Sequence, residues 1–396
     1  MNTIKSLSLQ FTLLKNAAIY APEALGEKDI LICNDKIVAI EQNIDASTIP
    51  NCTSLDLTGL TVCPGFIDQH IHLIGGGGEA GPHTRTPEVK LSSLIEAGIT
   101  TAVGLLGTDG MTRHPETLLA KVKALNFEGI TAYMLTGAYT VPTPTITGQI
   151  DKDIALIDGI IGVKTAISDH RSSAPTIAEL CRLSTQARVG GLLGAKAGIS
   201  VFHLGSSKKT LEPIDHILAN CDVPINKLLP THVNRNQVLF DAAIAFALKG
   251  GYIDLTSGIN PELGARNAVK PSKAVMQALK AGVALDHITI SSDGNGSQPV
   301  FNAQGQLTGI TVAGFASLLA ELKDMVQKEG LCLSEALQPF TSSVAQFLQI
   351  DKGHLKPNAD ADILVLNKDM NIEYVFAKGK KMVHNGKACI KGTFEE

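Results

Sequence analysis

The chain has 396 residues, 44% of them apolar and 18% charged, with a formal net charge of −4. That balance excludes an intrinsically disordered chain, and it supplies no basic footprint for nucleic acid or for an anionic membrane surface. The length exceeds one small core and suits two domains, or one α/β barrel with an appendage.

Residues 1–62 hold short alternating runs, such as Asp29-Ile30-Leu31-Ile32-Cys33, separated by Asn, Asp and Gly turn signals; they predict a small antiparallel β unit. The far end has the same texture in Asp362-Ile363-Leu364-Val365-Leu366 and Tyr374-Val375-Phe376. Chain termini tend to lie close together, so the two ends, 1–62 and 350–396, are expected to build one small β-sandwich domain. Between them, over 63–349, apolar β-like runs at 65–73, 100–106, 130–136, 160–167, 199–204, 228–233, 252–256 and 287–292 alternate with amphipathic stretches. Eight such units predict an α/β fold, a (β/α)8 TIM-like barrel. A helix is expected at 312–330 and another at 333–348, with Ser334 as its N-cap.

The N-terminus lacks a sustained apolar stretch with a small-residue cleavage site, and no run of 18 apolar residues occurs, so the expected location is cytoplasmic. Seven cysteines (Cys33, Cys52, Cys63, Cys181, Cys221, Cys332, Cys389), odd in number and without a C-x-x-C pair, are expected to be reduced, mostly core, thiols.

Barrel enzymes draw their functional groups from the C-terminal ends of different strands. Here those ends carry His70 and His72 on strand 1, Lys164 in strand 4, His203 on strand 5, His232 on strand 6 and Asp293 on strand 8. Residues two apart on a strand share a face, so His70-x-His72 can offer two imidazoles to one metal ion. Each residue alone has an ordinary structural explanation; together at one barrel mouth they read as a metal site. Arg171 and Arg235, on the loops after strands 4 and 6, can each bind a carboxylate bidentately. The glycines at 75–78 let backbone approach a ligand closely. His83, His114, His170, His216, His287, His354 and His384 are expected to be structural or surface residues.

Nearly the whole chain resembles the amidohydrolase superfamily and, within it, the beta-aspartyl (isoaspartyl) dipeptidases, a metallopeptidase branch close to the dihydroorotases. The superfamily features are Pro64-Gly65-Phe66-Ile67-Asp68-x-His70-x-His72, the ordered Lys164, His203, His232 and Asp293, and Ala359-Asp360-Ala361-Asp362-Ile363-Leu364-Val365. More specific to the dipeptidases are Gly75-Gly76-Gly77-Gly78-Glu79, Ala166-Ile167-Ser168-Asp169-His170-Arg171, Pro230-Thr231-His232-Val233-Asn234-Arg235 and Ser291-Ser292-Asp293-Gly294-Asn295-Gly296-Ser297. The loop 258–267 is the least familiar part.

The resemblance implies two zinc ions, one on His70, His72 and Asp293 and the other on His203 and His232, bridged by a carboxylated Lys164. It implies Asp293 as general base and then general acid, and Tyr139 as donor to the developing oxyanion. Arg171 would hold the C-terminal carboxylate of a β-aspartyl dipeptide and Arg235 its α-carboxylate. Glu79 would accept from the α-ammonium, assisted by Ser297, with Gly77, Gly78 and Thr108 lining the pocket. The implied role is turnover of damaged proteins, and similar enzymes assemble into homo-oligomers, often octamers. A dihydroorotase or other cyclic amidase is the main competitor, but it would need no Glu79 for a free amine. A non-catalytic scaffold is disfavoured because all six ligand positions are filled.

Overall fold

The computed structural model describes residues 9–301 and 307–396. Five strands come first: β1 (Phe11–Tyr20), β2 (Ala24–Cys33), β3 (Lys36–Glu41), β4 (Cys52–Asp56) and β5 (Thr61–Pro64). Eight parallel strands follow: β6 (Phe66–Ile71), β7 (Ile99–Gly104), β8 (Thr131–Thr136), β9 (Ile160–Ile167), β10 (Ile199–Leu204), β11 (Leu228–Thr231), β12 (Ile253–Thr256) and β13 (Ile288–Ser291). They pair in chain order. The barrel closes where β13 returns to β6: His72 N–H donates to the Gly294 carbonyl at 3.0 Å, and Ser292 N–H to Asp68 Oδ1 at 3.2 Å. All eight expected strands are therefore present.

A hairpin, β14 (Ser297–Phe301) and β15 (Leu307–Val312), rises directly from the end of the barrel. The last strands, β16 (Ile363–Leu366), β17 (Ile372–Ala377), β18 (Lys380–His384) and β19 (Lys387–Ala388), join β1–β5 in one nine-stranded sheet through β16 against β5. The two ends of the chain thus share one sheet, as their matching texture predicts.

Inside the barrel, Ile67, Val103, Leu135, Ile161, Val201 and Leu229 pack with Val344, Phe347 and Leu348 of the helix Ser342–Leu348. A polar cluster shares the interior. Asp254 Oδ1 accepts from Gln69 Nε2 at 2.9 Å and Thr289 Oγ1 at 2.8 Å, and its Oδ2 from Thr231 Oγ1 at 2.6 Å and Ser291 Oγ at 2.7 Å. Four donors satisfy a carboxylate that burial would otherwise penalise heavily.

Three expectations change. The expected helix at 312–330 is shorter, Ser317–Gln327, because β15 takes its first residue. The expected helix at 333–348 is broken into Leu333–Leu337, a 3₁₀ turn Gln338–Phe340 and Ser342–Leu348. Pro339, inside that turn, has no N–H for a continuous helix. Its cap is Cys332 rather than Ser334: Cys332 N–H donates to the Glu335 carboxylate at 3.2 Å. The cysteines also differ. Cys181 and Cys221 form a disulfide, and of the other five only Cys63 is buried. Neighbouring barrel helices bring the two Cα atoms to 5.9 Å across a separation of 40 residues, a contact that spacing along the chain does not reveal. Among the described residues no helix is long and apolar enough to cross a membrane.

Terminal sheet and barrel are locked by one buried cation. Lys352 Nζ, with its side chain 7% exposed, lies 2.5 Å from both Asp360 and Asp362 and donates to Thr131 Oγ1 of β8 at 2.8 Å. Lys352→Ala leaves Asp362 without its cation, while Asp360 keeps Lys36 at 2.5 Å, and removing one partner of a buried pair costs about 3–5 kcal/mol. A clear fall in melting temperature by calorimetry is expected; an unchanged melt would show that the pair contributes nothing.

Candidate metal centre

The first two ligand candidates meet as expected, but not by strand alternation. β6 ends at Ile71, so His72 lies just beyond it. Between Asp68 and Ile71 the register against β7 shifts, the mark of a bulge. Adjacent residues of a regular strand face opposite sides. Here Gln69 and His70 both reach across the interior, to Asp254 and to Lys164, and the bulge re-aims the pair.

Around them the other strand ends converge. His70 Nε2 lies 2.8 Å from Lys164 Nζ and 3.4 Å from Asp293 Oδ1; His72 Nε2 lies 3.2 Å from the same oxygen. Ligand atoms of His70, His72 and Asp293 all fall within 4.8 Å of one another. His232 completes the ring of groups: its centroid is 4.8 Å from that of His70 and 4.6 Å from that of His203. His232 and Asp293 both hold left-handed backbone, φ 64° and 54°. That conformation costs a non-glycine residue about 1–2 kcal/mol and is characteristic of functional sites.

Electrostatics make these groups donors. Burial holds His70 and His232 well below the ordinary histidine range and His203 at about 3, so all three are neutral. Burial also lowers Lys164 to about 7, leaving its amine readily neutral. Burial raises Asp293, but the hydrogen bond from His72 and the neighbouring His70 outweigh it and hold the carboxylate far below its usual range.

These residues fit a metal ion. His232 Nδ1 is paired with Thr256 Oγ1 at 2.7 Å, while its Nε2 is buried with no partner among the described residues. A buried imidazole nitrogen that meets no partner among the described residues is costly, and a cation accepting its lone pair removes that cost. Neutral imidazoles, a carboxylate and a neutral amine form an N/O donor set suited to zinc and its neighbours in the transition series.

Beside the centre lies a charged pocket. Glu79 Oε1 accepts from Thr108 Oγ1 at 3.1 Å and from Arg171 Nη1 at 3.2 Å, and its Oε2 from Ser297 Oγ at 3.3 Å. Gly77 and Gly78, with φ 73° and 100°, form the turn that presents Glu79. A Cβ on Gly77 would stand 2.4 Å from the Thr84 carbonyl, so the turn requires glycine there. Arg113 pins it from below, donating to the carbonyls of Ile74, Gly76 and Thr86. Tyr139, 4% exposed, puts its hydroxyl 2.6 Å from His203 Nδ1. The guanidinium carbon of Arg171 lies 5.4 Å from the Tyr139 ring centroid. Arg235 lines a cavity of about 400 Å³ together with residues of the loop 258–267, and burial lowers its guanidinium.

Two features are not legible along the chain. Arg171 does not offer its bidentate edge to a ligand: Nε and Nη2 each lie 3.0 Å from an Asp169 oxygen, leaving Nη1 as the outward group. Arg113 carries no motif that marks its role, and for Asp169 the one local signal is its place two residues before Arg171. His170, with its side chain 87% exposed, stays outside the centre.

An amidohydrolase family profile matches residues 203–382. The curated relatives include the dihydroorotase of Streptococcus thermophilus, 24% identical over 89% of each chain. Among solved structures, a D-hydantoinase shares the fold at TM-score 0.67 and 14% identity. The beta-aspartyl dipeptidase of Fervidobacterium islandicum AW-1, solved in complex with a β-Asp-Leu dipeptide, has a TM-score of 0.87. Because it is 39% identical over 96% of this chain and 98% of its own, the chain belongs to the beta-aspartyl dipeptidases of the amidohydrolase superfamily and is a hydrolase acting on peptide bonds.

Proposed function

We propose that this enzyme hydrolyses β-aspartyl (isoaspartyl) dipeptides at a two-zinc centre held by His70, His72, His203, His232, Asp293 and a carboxylated Lys164, with 63–349 as the catalytic unit. The observation that carries this reading is the direct adjoining of that ring of donors to the Glu79–Arg171 pocket, which suits a substrate bearing both an ammonium and carboxylates. A lysine ammonium has no lone pair for a metal. The neutral, buried amine of Lys164 can add CO2 and lose a proton, giving a carbamate with two oxygens to share. When bound, paired divalent cations would acidify a shared water and polarise the scissile carbonyl.

The protein's own groups do the rest. Glu79, with Thr108 and Ser297, takes the substrate α-ammonium in place of Arg171 Nη1, beside the backbone of Gly77 and Gly78. Arg171 and Arg235 neutralise the two carboxylates, Arg171 end-on because Asp169 holds its other edge. The Tyr139 hydroxyl donates to the oxygen that gains charge as the carbonyl is attacked. Burial raises the Tyr139 pKa, so the proton is retained for that purpose. Asp293 accepts a proton from the attacking water and passes it to the leaving amine. Turnover of damaged proteins, a cytoplasmic location and assembly into homo-oligomers are part of the same proposal.

The test is hydrolysis of β-Asp-Leu, α-Asp-Leu and dihydroorotate on one preparation of known metal content. β-Asp-Leu is expected to turn over at least about 100-fold faster than the others, since a site built for polar groups rejects analogues that leave them unpaired. About two metal ions per chain are expected. Preferred turnover of dihydroorotate would overturn the reading and leave Glu79 without a role.

A further inference from the structure

Resting on the roles proposed above for His203 and Arg171, we propose that Asp169 is a positioning residue that sets a metal ligand and a substrate clamp from one carboxylate. Asp169 Oδ2 lies 3.0 Å from His203 Nε2 and 3.0 Å from Arg171 Nη2, while Oδ1 accepts from Arg171 Nε at 3.0 Å and from its backbone N–H at 2.8 Å. Its side chain is 3% exposed.

The consequence for His203 is a tautomer. Arg171 Nη2 also lies 3.1 Å from Nε2, but its N–H is directed at Asp169 Oδ2, and a carboxylate accepts and cannot donate, so Nε2 carries the proton and Nδ1 keeps the lone pair. Nδ1 is the nitrogen that faces the Tyr139 hydroxyl and hence the centre. For Arg171 the consequence is direction. With Nε and Nη2 committed to Asp169, Nη1 alone reaches Glu79, at 3.2 Å. A continuous line of contacts therefore runs from His203 through Asp169 and Arg171 to Glu79.

The local backbone is shaped for this. Ser168 adopts a left-handed conformation, φ 53°, turning the chain so that Asp169 points back at the barrel. On the facing strand end, a Cβ at Gly205 would stand 2.6 Å from Asp169 Oδ2 and 2.7 Å from its Cα. Glycine two residues beyond His203 is what lets the carboxylate come this close.

The test compares zinc affinity, by chelator competition, with steady-state kinetics on β-Asp-Leu for wild type, Asp169→Asn and Arg171→Gln. Asp169→Asn should weaken retention of one zinc by about 10–100-fold, the usual cost of losing such a support, and raise KM. Arg171→Gln should raise KM and leave zinc affinity unchanged. In Asp169→Asn/Arg171→Gln the KM effects should not add, while the zinc defect persists. Unchanged zinc affinity in a folded Asp169→Asn overturns the proposal. Should that variant not fold, ¹⁵N imidazole spectra of the zinc-loaded wild type decide: a protonated Nε2 on His203 supports it, and a protonated Nδ1 overturns it. Wild type lacking both zinc and β-Asp-Leu hydrolysis would overturn the functional reading and this proposal with it.

Discussion

Lys164→Ala is expected to reduce hydrolysis of β-Asp-Leu by about three orders of magnitude or more, on the order of 4 kcal/mol of barrier, and to lower metal content below two ions per chain. The reason is the position of the side chain. Lys164 is fully buried, lies 2.8 Å from His70 Nε2 and 5.4 Å from the Tyr139 ring centroid, and has burial as the main influence on its titration. Among the described residues that amine meets His70 but forms no ion pair of the kind a purely structural lysine would need; the carboxylate that acts on it most, Asp293, already serves His70 and His72. If the bridging group is a carbamate, the cavity left by alanine should admit a small carboxylate. Added acetate or propionate should then restore part of both metal content and turnover. Full metal content and wild-type rate in the alanine variant would reduce Lys164 to a buried amine and remove the bridge from the mechanism.

Asp293→Asn should lower kcat by about 10²–10⁴-fold, the range for loss of a general acid–base group, with KM changed by less than about threefold. Asp293 is 3.2 Å from His72 and 3.4 Å from His70, and the groups proposed to bind substrate ends, Glu79, Arg171 and Arg235, make no hydrogen bond to it. An asparagine keeps the shape and an acceptor oxygen but cannot take up a proton at neutral pH. Rates are to be expressed per metal-loaded site, with metal measured on the same sample, because Asp293 is also a proposed ligand. A loaded variant with undiminished kcat would assign the proton transfer elsewhere. Asp169 would not be the replacement, since both of its oxygens are already occupied by His203 and Arg171.

Legible along the chain are the eight β/α units, the joining of the two termini in one sheet and the polar groups expected at the barrel mouth. These are local properties. An apolar run of four to eight residues between turn signals forms a strand largely whatever surrounds it, and the strand's C-terminal end marks the functional face. Contacts between distant segments emerge only when the chain is folded. The bulge that aims His70 appears when β6 is registered against β7. The broken helix around Pro339 and the Cys181–Cys221 disulfide depend on how neighbouring elements pack. Arg171 reads as a free fork along the chain: Asp169 stands two residues before it, but only the folded loop shows that it fills the bidentate edge. His203 and Asp169 are 34 residues apart and meet only because parallel neighbours β9 and β10 end side by side. Propensity and periodicity act over a few residues, whereas hydrogen-bond partners at a site are chosen by the closure of the barrel.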